Sequence, residues 1–366
     1  MCEAGSHVLT AHATLSESFG KASCIILRDH AFILFWQAAK EFFMVARDNR
    51  TSGPIMLVTA AAIEAAYDRI TPHIRVTPAL QLRSGDLNLP SGASLKLESL
   101  QHSGSFKARG AFNMLLSKDI PAAGVAAASG GNHGAAVAYA ARSLGIQARI
   151  FVPELATPFK TAKIRSYGAE LEIGGETYAE ARDACGAYQA QTGAMDIHAY
   201  AAAETIVGQG TLALEWESQT RGLDTLLIAV GGGGLISGIA TWFAGKTRVI
   251  GVETEGCQTM KCALEAGQPV DVPVSGIAVD SLGARRASDL TYAISARCVE
   301  RIVTVSDEEV MAAQQRLWQG LQLVAEPGGA AAFAALLCGA YVPQRGERTG
   351  ILLCGGNMDP AGLTAH

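Results

Sequence analysis

The chain has 366 residues, 49% of them hydrophobic and 17% charged, with 40 glycines and a net charge of −5. That length accommodates about two domains with a core large enough to need no covalent staples, and the composition excludes disorder. The 29 basic and 34 acidic residues form no basic run that would suggest nucleic acid, and the eight scattered cysteines include no CxxC pair, so reduced thiols in a cytoplasmic protein are expected rather than a disulfide framework or a zinc site.

Residues 1–55 differ from the rest. The stretch 24–47 is apolar and aromatic but carries Arg28, Asp29, Lys40 and Glu41. It is too charged for a membrane span and lacks a signal-peptide cleavage region. Two readings stand: an amphipathic extension that packs on the body or on a partner, and, slightly favoured, an over-extended reading frame with Met56 as the natural start.

From Thr59, a plausible N-cap, a helix is predicted over 60–69. A strand at 93–98 leads to Ser103-Gly104-Ser105-Phe106-Lys107-Ala108-Arg109-Gly110-Ala111, which puts Lys107 in the first turn of a helix. A strand at 124–128 runs into the turn Ser129-Gly130-Gly131-Asn132-His133-Gly134 and a helix stopped by Gly145. Strands at 149–152 and 170–173 and helices at 159–167 and 178–191 follow, then a short strand near Ile197. The second half reads as helix 205–220, strand 225–230, the turn Gly231-Gly232-Gly233-Gly234, helix 235–244 and strand 248–253. A long irregular stretch is expected next. A strand at 301–305, two helices spanning 307–337 and a strand at 350–353 complete the pattern, ending in Cys354-Gly355-Gly356-Asn357.

Alternating strands and helices predict an α/β fold with parallel sheets covered on both faces. Ligands in such sheets sit beyond the carboxyl ends of the strands, so the three glycine-rich turns can face one cleft. A lone lysine is most often a solvated helix residue. Lys107, however, has small or apolar neighbours and lies at a helix N-terminus, and both features favour a neutral amine able to form a Schiff base with an aldehyde.

Gly231 to Gly234 follow an apolar strand and open a helix, a geometry suited to a phosphate, although a tight structural turn has the same sequence. A dinucleotide fingerprint is the rival reading, with Glu253 at the end of the next strand. Its register fits poorly because Ile236 or Ser237 occupies the third-glycine position. Ser129 to His133 form a second nest of backbone N–H groups, suited to a carboxylate, and Asn132 offers an amide for a phenolic oxygen.

Together these motifs resemble the fold-type II pyridoxal-phosphate enzymes, in particular the threonine/serine dehydratase and serine racemase group, over about residues 60–357. The resemblance implies two open parallel-sheet αβα domains of the tryptophan synthase β-like kind. A large cofactor domain would comprise 56–113 plus 204–366, and a small domain, 114–203, would close over the substrate.

On that resemblance Lys107 is the cofactor-binding and catalytic lysine, and Phe106 lies against the ring of pyridoxal 5'-phosphate. Asn132 meets its phenolic oxygen, Gly231 to Gly234 with Leu235 hold the phosphate, and Cys354 meets the ring nitrogen. Glu326 matches an acidic position near the cofactor. The substrate carboxylate falls to Ser129, Gly130, Gly131, Asn132 and His133. Pocket walls are expected in 129–134, 199–205 and 275–283.

The departures carry information. Gly130 stands where serine racemase-like members have the serine that acts as acid and base on the face opposite the lysine, so elimination is expected over racemisation. Glu253 matches the first ligand of a divalent-cation site, but Thr259 replaces the aspartate, which puts the metal in doubt. With the sequence stopping soon after Asn357, a regulatory domain of the feedback-inhibited type is not expected.

The expected activity is α,β-elimination of water from a β-hydroxy amino acid of the L-threonine or L-serine type, giving a 2-keto acid and ammonia, in a cytoplasmic homodimer without nucleic-acid or membrane partners. Three alternatives remain open: a serine racemase, a dehydratase of 3-hydroxyaspartate or phenylserine, and a catalytically silent member kept for binding or assembly.

Overall fold

The computed structural model describes residues 57–364 except Leu155. Both readings of residues 1–55 therefore lie outside the described residues.

The first helix, α1 (Ala60–Ile70), starts where expected because the Thr59 hydroxyl accepts the Ala62 N–H. Strands β1 (Ala79–Leu82) and β2 (Ala93–Leu97) form an antiparallel pair. β1 was absent from the sequence reading; only one of its four residues is buried, so it carries little apolar signal. Helix α2 (Lys107–Leu116) then begins at Lys107 itself.

The next segment supplies β3 (Val125–Ala128), α3 (Asn132–Ser143), β4 (Ala148–Val152), α4 (Pro158–Ser166), β5 (Glu170–Ile173), α5 (Tyr178–Thr192) and β6 (Met195–Asp196). Its four strands make an all-parallel sheet in the order β5-β4-β3-β6. Helices α3 and α5 both pack on β3 and β4. The central strand Val125–Ala128 is buried throughout, as a parallel strand covered by helices must be.

The remainder supplies α6 (Ala203–Gln219), β7 (Thr225–Ala229), α7 (Gly234–Trp242) and β8 (Arg248–Thr254). These are followed by α8 (Thr259–Ala266), α9 (Val279–Leu282), α10 (Asp289–Cys298), β9 (Arg301–Val305), α11 (Asp307–Leu321), α12 (Pro327–Leu337), β10 (Thr349–Leu353) and α13 (Ala361–Thr364). The second sheet runs β1-β2-β10-β7-β8-β9, parallel except for the β1 edge. Alanine-rich α12 packs on β7 to β10, and its apolar side chains are almost wholly buried.

The stretch expected to be irregular after β8 instead holds three helices. α10 carries a readable signal, a capping box in which the Ser288 and Thr291 side chains exchange bonds with each other's backbone N–H. α8 has no such local signal. Its first N–H groups are capped from outside the helix by Glu253, whose carboxylate accepts from Met260 N at 2.7 Å and Lys261 N at 3.0 Å.

A buried charge cluster joins the second sheet to the Lys107 helix. Arg109 donates from Nε and Nη2 to both oxygens of Glu98 at 2.8 Å and from Nη2 to Glu215 Oε2 at 2.9 Å. Lys96 Nζ meets the other Glu215 oxygen at 2.5 Å. All four charged groups are removed from solvent. Two cations and two carboxylates balance, which is the condition for burying such groups at all. No helix among the described residues is long and apolar enough to cross a membrane.

Candidate active site

Three strand ends and two helix starts converge on a single cavity. It is lined by Phe106 and Lys107 from the start of α2, Asn132 from the turn after β3, Gly231 to Leu235 after β7, Glu326 from the start of α12 and Cys354 from the end of β10. Strand and helix are pinned together here: Phe106 N donates to Cys354 O at 3.0 Å, and Ser105 bridges Gly355. The sequence motifs around positions 107 and 354 are thus adjacent in space.

Lys107 Nζ donates to Ala199 O at 2.9 Å and lies 5.0 Å from the centre of the Phe106 ring. Burial lowers its pKa to about 8, against the opposing pull of Cys354 and Glu326. An amine in that state is available as a nucleophile and a base near neutral pH. Cys354 shows the converse: burial pushes its thiol well up, so it stays an S–H, donating to Gly328 O at 3.4 Å.

The loop after β7 is an open cradle. Helix α7 has no side-chain cap, leaving its first N–H groups for an anion. Gly233 sits at φ +89°, where a side chain is strained. A Cβ on Gly232 would fall 2.5 Å from the Tyr200 ring, so that ring lies directly on the loop. Tyr200, Ser281 and Leu282 complete the walls. The first lies within the expected 199–205 segment and the others within 275–283, but the sequence does not single any of them out.

In the turn after β3, Asn132 Nδ2 donates to Glu326 Oε1, while Asn132 Oδ1 accepts from Asn357 Nδ2 at 2.6 Å. Glu326 is buried and lines the cavity, with Oε2 unpartnered. Burial raises its carboxyl to about 7, against Lys160 and the Asn132 bond. The His133 ring bonds to Ile197 O at 2.6 Å and is kept neutral by burial, its pKa about 3, so at this position the backbone N–H is the group left for a ligand. Ser129 Oγ accepts from Gly131 N at 3.2 Å and shapes the turn itself. A Cβ on Gly130 would lie 2.9 Å from the Ala156 Cβ.

Glu253 is turned away from this constellation: it caps α8, and its burial raises the carboxyl to about 7. Thr259 donates to Ala284 O. No group of three His, Cys, Asp or Glu side chains able to hold a metal occurs among the described residues.

Residues 70–355 match the family model described as pyridoxal-phosphate dependent enzyme. Among curated proteins, the phenylserine dehydratase of Ralstonia pickettii is 38% identical over 84% of this chain and 95% of its own. A biosynthetic L-threonine dehydratase of Mycobacterium tuberculosis is also 38% identical, over 84% of this chain and 74% of its own. The structure of maize serine racemase superposes with a TM-score of 0.79 at 30% identity, covering 84% of this chain and 96% of that one. A family match over most of the chain and a relative 38% identical along 95% of its own length join the cavity geometry in one conclusion: this chain belongs to the pyridoxal-phosphate dependent enzymes of fold type II.

Proposed function

We propose that the protein removes water from a β-hydroxy amino acid of the L-threonine or L-serine class, releasing a 2-keto acid and ammonia. The cavity's chemistry fits pyridoxal phosphate on three counts. It offers an amine depressed to about 8, an uncapped helix N-terminus behind a glycine cradle, and a neutral thiol at the end of β10. In this reading Lys107 binds the cofactor aldehyde, Gly231 to Leu235 hold the phosphate, Asn132 meets the phenolic oxygen, Cys354 meets the ring nitrogen and Phe106 lies against the ring. When bound, the cofactor supplies an electron sink for charge developing at the substrate Cα.

The chain's own residues then divide the work. The backbone N–H groups of the Ser129 to His133 turn receive the substrate carboxylate, and the lobe built on β3 to β6 closes over it. Lys107 Nζ would take the Cα proton as the base. The Cys354 thiol keeps its proton and would meet the ring nitrogen as a neutral hydrogen-bond donor rather than as a charge partner, which would suit loss of the β-hydroxyl.

One observation carries the preference for elimination. Gly130 offers no acid or base, and the 2.9 Å approach of Ala156 leaves no room for a side chain on that face. Position 130 therefore supplies no donor for proton return with inversion. Purified holoenzyme should release keto acid from L-threonine or L-serine with no accumulation of the Cα-inverted product, D-allo-threonine or D-serine. Racemisation at a rate comparable to keto-acid release would refute the assignment. The Ralstonia relative makes phenylserine the next substrate to screen, followed by 3-hydroxyaspartate.

The cradle makes its own prediction. Gly232→Ala drives a Cβ into the Tyr200 ring, a clash of the kind that costs about 1–3 kcal/mol. Pyridoxal phosphate should bind the apoprotein about five- to 150-fold more weakly. Unchanged affinity in a fluorescence titration would remove the loop from the phosphate site.

A further inference from the structure

Asn132 and Asn357 are amides, and which end of each faces which neighbour decides whether the cavity receives an N–H or an oxygen. Asn357 is held between two groups of fixed character. Its Oδ1 accepts from Lys163 Nζ, an ammonium that can only donate. Its Nδ2 donates to the Ser103 carbonyl at 2.8 Å, which can only accept. Turning this amide over would set donor against donor and acceptor against acceptor. With its orientation fixed, the other Nδ2 hydrogen of Asn357 reaches Asn132 Oδ1. The Asn132 carbonyl is thereby committed, its Nδ2 faces Glu326, and one N–H remains for the cavity that Asn132 lines.

Lys163 is otherwise without an explanation. It sits on α4, is partly buried, and no carboxylate lies within ion-pair distance among the described residues. Its neighbour Lys160 has Asp280 at 2.9 Å. Burial lowers the Lys163 pKa, and Glu326 opposes that shift. Asn357 and Asn132 are both buried, so an unmade bond at either would leave a desolvated polar group without a partner and the chain of orientations is not loosely held.

We propose that Lys163 and Asn357 are positioning residues that set which way the Asn132 amide faces, presenting its remaining N–H to the phenolic oxygen of the cofactor. This rests on the reading of Asn132 given above. The ammonium on α4 thus acts through two amides, from the lobe built on β3 to β6, on the electronics of a ring it does not touch.

The test is the absorbance of the protein reconstituted with pyridoxal phosphate, at fixed pH. A donor at the phenolic oxygen favours the ionic form of the bound chromophore, which absorbs in the visible, over the neutral form, which absorbs in the near ultraviolet. Asn357→Asp keeps the size but replaces Nδ2 with a second acceptor, so Asn132 must turn its N–H groups toward position 357. The visible to near-ultraviolet ratio should fall by about three- to tenfold, the equivalent of one net hydrogen bond. Lys163→Met should lower it less, since Ser103 still anchors Asn357, and Lys163→Arg should retain it.

Asn132→Ala separates the two ways of being wrong. If it shifts the ratio and Asn357→Asp does not, the relay is refuted while the reading of Asn132 stands. If Asn132→Ala leaves the ratio unchanged, that reading fails and the relay with it. The partly exposed Lys163 pair keeps the test usable if Asn357→Asp does not fold, and Lys163→Arg behaving like Lys163→Met would overturn it.

Discussion

Replacing Lys107 with alanine is expected to lower keto-acid release by at least about a thousandfold, leaving the fold intact. The magnitude follows from what is lost: the proposed covalent tether of the cofactor and the proposed base for the Cα proton, the latter alone contributing about 10²–10⁴ in rate. The amine is the first residue of α2 and lines a cavity, so its truncation removes no large packing contact. Borohydride treatment of the wild-type holoenzyme should bleach the visible band and fix the cofactor to the chain; the alanine variant should show no such fixation. Full turnover in the variant would sink the assignment of the base.

A pH dependence accompanies this. Uptake of pyridoxal phosphate by the apoprotein requires the neutral amine. Burial places the Lys107 pKa at about 8, below the ordinary lysine range, so the uptake rate should rise with pH and level off above about 8. A rate that keeps climbing toward pH 10 would mean the amine is solvated.

The second large effect is on stability. Arg109→Met keeps most of the side-chain volume but leaves Glu98 and Glu215 buried with only Lys96 to balance them. Breaking a buried ion cluster in this way costs about 3–5 kcal/mol, a large part of a typical folding free energy. Because Arg109 lies two residues beyond Lys107 on α2, the loss should also weaken cofactor retention.

The sign of the pH dependence is fixed by Glu98. Burial would raise its carboxyl, but Arg109 and Lys96 outweigh burial and hold it below its ordinary value. A depressed folded pKa contributes stability that is present above the unfolded carboxylate range, about 4.3, and is lost as pH falls through the folded value. In the Met variant burial is no longer outweighed and the Glu98 carboxyl rises, so this acid-side loss should shrink or reverse, and the deficit against wild type should be largest near neutral pH and narrow as pH falls. Thermal unfolding of the apoprotein across pH 4 to 8 measures both effects, and a variant as stable as wild type would show that the cluster is dispensable.

Much of the architecture is carried by local pattern. Short apolar runs that each end in a glycine-rich turn mark β3, β7 and β10, and Ser129 to Gly134, Gly231 to Gly234 and Cys354 to Asn357 mark the three ends that meet in the cavity. The motif around Lys107 adds the fourth piece. These signals are legible because each is contiguous: a turn needing glycine, a helix start needing a cap, a strand needing β-sheet periodicity.

What the sequence could not decide is contact between distant positions. β1 has too few buried residues to stand out. α8 is capped by a carboxylate from the preceding strand, so Glu253 reads as a cofactor or metal residue until its two backbone partners are seen. Arg109 reads as part of the lysine motif, yet its partner Glu215 is 106 residues away. Asn132 is visible as a motif residue, but its orientation depends on Asn357 and Glu326, 225 and 194 residues on. Sequence alone therefore singled out groups that line the cavity: the Lys107 amine, Asn132, the Gly231 to Leu235 loop and Cys354. Only the tertiary structure decided their state. Burial sets whether Lys107, Glu326 and Cys354 carry charge, and donors and acceptors from remote segments set which way a buried amide points, because both depend on what surrounds a group rather than on what precedes it in the chain.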